Sequence, residues 1–365
     1  MAALGSQTIA DSYEQLLHVD TDGGGNGTTH VSVKDGDNGT TFGFTIASDA
    51  LMMTSTNRLE FGDTGTYIHQ SSDSVLSVVS DGDIVLTPGA AGSVYSSGDG
   101  GTANTIFGND AGDALASGGN YNTFYGSQAG SALTTGDNNV AMGRNALATH
   151  VGGSYNIAIG VGAMGDTDGN SGVNIDDSLG NVLIGEGAGG GAWGGSAAVN
   201  YTVGVGYQAL NGAMTSDATG SVGVGYRALK ALTSGADNVA LGFEAAKGLT
   251  TGNSNVVLGD SALAAADGAE ARNIAIGYRA GGSINSDTAH DNVLIGTDAG
   301  KAGAGAIAEN VIIGSEAGDS SGGAAFEKGV IIGRHAGRNV GADASGSVLI
   351  GFQSGTVISS AQYNV

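Results

Sequence analysis

From about residue 104 to residue 355 the chain repeats one phrase fourteen times, Asn-x-x-aliphatic-Gly-x-x-Ala, plain in NVALGFEAAKGL, NVLIGTDAGKAG and NVIIGSEAGDSS. The phrase glycines are Gly108, Gly126, Gly143, Gly160, Gly185, Gly206, Gly225, Gly242, Gly259, Gly277, Gly296, Gly314, Gly333 and Gly351. Most steps are 17 to 19 residues, with longer ones of 25 and 21 after Gly160 and Gly185. A fixed period near eighteen, carried by short β-branched runs and glycine, marks a solenoid whose coils stack in parallel. The expected fold is therefore all-β, a parallel β-roll or β-solenoid of about 14 coils. At roughly 4.8 Å per coil it would form a rod about 67 Å long.

Composition removes most alternatives. Glycine occurs 69 times but proline only once, at Pro88, so the chain is not collagen. Apolar residues make up 40% and sit in register, which argues against disorder. Cysteine is absent, so neither a disulfide framework nor a thiolate metal site is available. The opening MAALGSQTIADSYEQLL lacks the basic start and apolar run of a secretion signal. No run of about twenty apolar residues exists to insert in a membrane. The net charge of −23 disfavours a nucleic-acid partner.

Within each phrase the five residues from the Asn slot to the Gly slot read as one strand, whose alternate residues face opposite ways. Slots two and four hold pairs such as Val140 and Met142, Ile157 and Ile159, Val239 and Leu241, Ile274 and Ile276, and Val311 and Ile313. This pair is expected to form the coil interior. Slot three then faces outward, yet it is apolar too, holding Ile106, Phe124, Ala141, Ala158, Leu183, Gly204, Gly223, Ala240, Val257, Ala275, Leu294, Ile312, Ile331 and Leu349. A strand apolar on both faces is buried on both. Since one coil has one interior, the second face calls for self-association about an axis parallel to the stack. The slot-three residues from Ala141 to Leu349 are the candidate axis, with small residues mid-series permitting close approach. The first slot is Asn in ten coils, replaced by Thr202, Ser221, Gly329 and Ser347, and stacked amides can hydrogen-bond up the ladder. The unvarying glycine suits a corner of positive φ or close backbone approach.

Sites of chemistry are sparse. Asp113, Asp137, Asp217, Asp237 and Asp267 are scattered in turns, with no pair placed for glycoside hydrolysis. The six histidines (His18, His30, His69, His150, His290, His335) are far apart and form no catalytic motif. No catalytic residue, cofactor or firm metal site is expected. The longest insertion, GDTDGNSGVNIDD, spaces Asp166, Asp168, Asn170 and Asp177 as weak calcium candidates, although Ser171 replaces the usual sixth-position glycine. The single tryptophan, Trp193, lies in the glycine-rich GGGAWGGSAA, where it either offers a sugar-stacking face or folds back over a coil. The slot after the glycine carries Tyr207, Tyr226, Phe243, Tyr278 and Phe352, with Arg144 and Arg334, either a carbohydrate-binding ladder or one that packs on itself. Arg227, Lys230, Lys247, Arg272 and Arg279 either meet acidic glycans or offset nearby carboxylates.

Phrases such as DNNVAMGRNAL, YNIAIGVGAM and RNIAIGYRAG resemble the left-handed β-roll repeats in heads of trimeric autotransporter adhesins. They are more closely similar to the NxxIGxxAL repeats of bacteriophage tail-fibre proteins. The resemblance covers about two thirds of the chain and implies a homotrimer with repeat strands lining its axis. RLEFGDTGTYIHQSSDSVLSVVSDGDIVLT resembles a β-rich fibre shaft, and QTIADSYEQLLHVDTDGGGNGTTHVSVKDG resembles a virion-proximal segment. An autotransporter implies a signal peptide and a barrel anchor, which are not legible here, so the fibre resemblance is favoured. The expected organisation is a docking segment over 1–50, a shaft and joint over 51–100, the roll over 101–355 and a tail over 356–365. The resemblance implies a non-catalytic, extracellular virion fibre. Its partners would be further copies of itself, a virion tail or baseplate protein at the amino terminus, and a glycan or protein on the host surface. No receptor-binding knob follows the last coil, so a connector carrying a separate receptor-binding protein is the alternative, and a polysaccharide-degrading tailspike a third.

Overall fold

The structure, a computed structural model, describes residues 102–166, 178–193, 198–301, 307–319, 326–339 and 345–356, together with the strands of the amino-terminal part. The chain divides into two units, Met1–Val94 and Tyr95–Val365. In the first, an antiparallel sheet runs in the order His18–Val19, Val31–Lys34, Thr41–Ile46, Leu51–Met53, and a second in the order Arg58–Glu60, Tyr67–Ser72, Val75–Val79.

The second unit is a parallel β-solenoid. Its main sheet has 14 strands of three residues each, from Thr105–Phe107 to Val348–Ile350, every one hydrogen-bonded to the equivalent strand of the next coil. Register follows the phrase without slippage: Ala141 pairs with Phe124 on one side and Ala158 on the other. A short parallel pair, Ile307–Ala308 with Phe326–Glu327, adds a second wall to the late coils. Among the described residues the only helical turn is a 3-10 turn at Ser216–Ala218, and no helix is long and apolar enough to cross a membrane.

The strand faces are the reverse of the sequence expectation. The expected axis residues Ala141, Ala158, Leu183, Gly204, Gly223, Ala240, Val257, Ala275, Leu294, Ile312, Ile331 and Leu349 lie inside the single chain's own core. Slots two and four are the outward ones. The physical reason lies in the other odd slots. The Asn residues are buried beside slot three, and in six coils the Asn Nδ2 donates to the Asn Oδ1 one coil below, as Asn255 does to Asn238 at 2.9 Å. The same Nδ2 donates to a corner carbonyl, that of Glu270, at 2.8 Å. An amide that satisfies buried backbone in this way sits inside the coil, and alternation carries slot three in with it.

The core is a two-part fit that accounts for the size of slot three in most coils, with Ala240 and Ala246, Val257 and Leu263, and Ala275 and Gly281 as the exceptions. Where the strand centre is Phe124, Leu183, Leu294, Ile312 or Ile331, the residue six further on is Gly130, Gly189, Gly300, Gly318 or Gly337. Where the centre is Ala141, Ala158, Gly204 or Gly223, that residue is Leu147, Met164, Leu210 or Leu229, all fully buried. A β-carbon on Gly130 would stand 2.7 Å from the Phe124 ring, so the two positions share one volume. The leucines and Met164 adopt left-handed φ of about 50° to do this. That conformation costs about 1–2 kcal/mol each, less than the roughly 2–5 kcal/mol lost when a buried leucine is deleted.

Candidate interaction surface

The outward side of the main sheet is a continuous apolar stripe. From Val140 to Ile350 every slot-two and slot-four residue is Val, Ile, Leu or Met, and Thr105, Phe107, Thr123 and Tyr125 open the series. Their exposure in the single chain is intermediate where coils shield each other, reaches 50% at Leu241 in the middle of the stack and 64% and 65% at the end residues Ile350 and Phe107. Backbone bonding along the stack is complete, so nothing polar interrupts the stripe. Fourteen coils at about 4.8 Å, with the five residues from Asn slot to Gly slot at about 3.3 Å each, give roughly 60 Å by 13–16 Å, or on the order of 800–1000 Å². Soluble monomers seldom expose an apolar patch larger than a few hundred Å².

Two margins border the stripe. Before each Asn slot stands a residue with φ between +55° and +77°, among them the exposed Tyr121, Tyr155 and Tyr201, then Asp237, Arg272, Asp291, Glu309 and Lys328. In the later part of this margin Arg272 grips Asp291 with bonds of 2.7 and 2.9 Å. Those bonds first, and the one from His290 second, hold the Asp291 carboxyl at about 2. After each Gly slot stands the other margin, with Tyr207, Tyr226, Phe243, Tyr278 and Phe352.

The receptor candidates behave differently from one another. Tyr207, Tyr226 and Phe243 form a ladder with centroids 5.4 and 4.9 Å apart and planes within 9° and 8°. Both faces of Tyr226 and one face each of Tyr207 and Phe243 are taken up by the stack, which leaves less ring face for a sugar to stack on. Asp260 separates Tyr278 from this ladder, and Arg279 lies 5.8 Å from the Tyr278 centroid. Trp193 is not a surface platform: at 1% exposure it fills the coil core, and its backbone N–H donates to the Asp166 carbonyl. The indole's apolar area favours this inward packing. The cations lie beside carboxylates, with Lys247 2.6 Å and Arg227 3.9 Å from Glu244, and Arg279 3.5 Å from Asp298.

Of the calcium candidates, Asp166 is exposed at the end of a described turn, while Asp168, Asn170 and Asp177 lie outside the described residues. Among the described residues no group of three His, Asp or Glu side chains is placed to hold a metal. His150, which the sequence offered only as one of six scattered histidines, is fully buried in the core row. Desolvation there lowers its pKa to about 4. The class that fold and surface define is a parallel β-solenoid with one unpartnered apolar face. Comparison of the chain with protein-family models, curated proteins and solved structures finds no match.

Proposed function

We propose that the chain is a non-catalytic fibre protein that associates as a homotrimer through its apolar stripe and serves a bacteriophage as a tail fibre in host attachment. The observation that carries the reading is the stripe itself, which runs the full length of the sheet and has the area per partner of a standard stable interface, about 800 Å². A second copy is the occupant of choice. A stripe repeating every coil is matched in length and spacing by an identical stripe, and closed symmetry buries it on every copy. The amino-terminal unit would dock to a virion tail or baseplate protein, and the roll would face a glycan or protein of the host surface. The native mass of the purified chain by light scattering tests the assembly. Three times 35.4 kDa is expected, and a monomer overturns it.

The connector reading, in which a separate protein binds the receptor, gains support from two features. Trp193 is inside the core and the aromatic ladder is stacked on itself, leaving fewer free recognition groups. Labelled trimer mixed with permissive cells separates the two. Saturable binding supports attachment, and its absence with an intact trimer supports the connector. Release of oligosaccharides from host capsule would overturn the non-catalytic reading and favour a tailspike.

A further inference from the structure

The two margins of the stripe carry information about how copies meet, an inference that rests on the self-association proposed above. Tyr201 and Tyr207 stand at opposite ends of the strand Val203–Val205, within one coil and so at one height. The same relation holds for Gly220 and Tyr226, Arg272 and Tyr278, and Gly346 and Phe352. If copies run parallel about an axis along the stack, symmetry sets the margin before the strand of one copy against the margin after the glycine of the next, coil for coil. If a pair runs antiparallel, like margins meet and the sixth coil faces the ninth, setting Tyr201 against Ser254.

We infer that the copies run parallel and in register, and that the aromatic margin of each copy is received by the opposite margin of its neighbour. Size and chemistry favour this pairing at most levels, the exception among the aromatic ones being Phe243, which meets Asp237. Tyr207 meets Tyr201, a partner for ring stacking, and Tyr278 meets Arg272, a guanidinium suited to a ring face. Tyr226 and Phe352 meet Gly220 and Gly346, which leave room for a ring. Tyr155 meets Val161, an apolar residue exposed in the single chain. The antiparallel pairing gains Tyr226 against Phe243 and Lys328 against Tyr121, but it sets Tyr207 against Asp260, Tyr155 against Asp291 and Tyr278 against Glu186, three carboxylates against aromatic groups where the parallel pairing has one. Only the Lys328 and Arg334 level brings like charges together in the parallel pairing, and both are exposed and long enough to reach water. The tyrosines thus act as seam residues between copies, and the rings that resemble a carbohydrate ladder face a neighbouring chain.

The absence of cysteine makes the test direct. The double variant Tyr201→Cys/Tyr207→Cys is oxidised and run on a non-reducing gel, with far-UV circular dichroism confirming the fold and light scattering giving the native mass. Within one chain the two sites lie about 20 Å apart, too far for a disulfide, so any bond joins copies. The expected result is that most of the double variant shifts to covalently linked copies, as does Arg272→Cys/Tyr278→Cys, while Tyr201→Cys alone stays unlinked. Linking in Tyr201→Cys/Ser254→Cys but not in Tyr201→Cys/Tyr207→Cys overturns the parallel seam. An oligomeric native mass with no linking in either parallel pair overturns the seam and leaves self-association standing. A monomeric native mass overturns both.

Discussion

At the scale of single residues, the glycine at the end of each strand is the least replaceable. Gly225 has φ of +133°, and a β-carbon on it would collide with the Gly242 carbonyl oxygen of the next coil. Both the backbone conformation and the close approach exclude a side chain, so Gly225→Ala is expected to cost about 3 kcal/mol or more, read as a lower urea midpoint. His150 makes a different prediction. Its folded pKa, about 4, lies below the ordinary 6.5, so the unfolded chain takes up the proton first. Stability from keeping it neutral is complete above pH 6.5 and is lost as the pH falls toward 4, by roughly 3 kcal/mol. His150→Leu should remove that part of the acid sensitivity, which urea titrations at neutral pH and near pH 4.5 would register as a smaller change than in the parent. Equal acid sensitivity in the two proteins would mean that His150 is solvated.

At the scale of the coil, the strand centre and the residue six positions later act as one packing unit. In the sixth coil these are Gly204 and Leu210, and a β-carbon on Gly204 would stand 2.8 Å from a Leu183 methyl of the coil beneath and 3.4 Å from a Leu210 methyl. Gly204→Leu alone overpacks the core, and Leu210→Gly alone leaves a cavity costing roughly 2–5 kcal/mol. The double variant recreates the Leu183 and Gly189 arrangement of the coil beneath. It should therefore be less destabilised than the sum of the singles by at least about 1 kcal/mol. Additive effects in the double-mutant cycle would dissolve the packing unit. This compensation was present in the sequence as an anticorrelation between two positions, but it has meaning only once both are known to point into one volume.

At the scale of the whole molecule, the two faces of the sheet predict opposite responses to the same chemical change. Val224→Asp sets a carboxylate on the outward stripe and should abolish association, lowering the native mass toward 35.4 kDa with the β-signal in circular dichroism retained. Ala240→Asp sets one in the fully buried core, where an unpaired charge is costly, and should unfold the coil. Identical behaviour of the two variants would contradict the assignment of faces. In the proposed assembly the stripe acts through its whole length of apolar residues, so no single side chain in it needs to dominate.

The period of the phrase, the count of coils, the strand centres and the Asn and Gly ladders all follow from residue order alone, because a stack repeats its chemistry whenever it repeats its geometry; the strands themselves are three residues long rather than the five expected. That both strand faces are apolar follows as well, since the side chains of slots two, three and four carry almost no polar groups. Which face lies inside was decided by tertiary structure. Alternation over five residues separates odd slots from even ones, but it has no sign. The clue available was that Asn and Gly share the odd slots with the strand centre, and buried amides and close-packed backbone belong inside a coil. The place of Trp193 likewise depended on three dimensions. A glycine-rich stretch permits a ring to face water or the core, and the apolar area of the indole was satisfied only when the neighbouring coils supplied the walls.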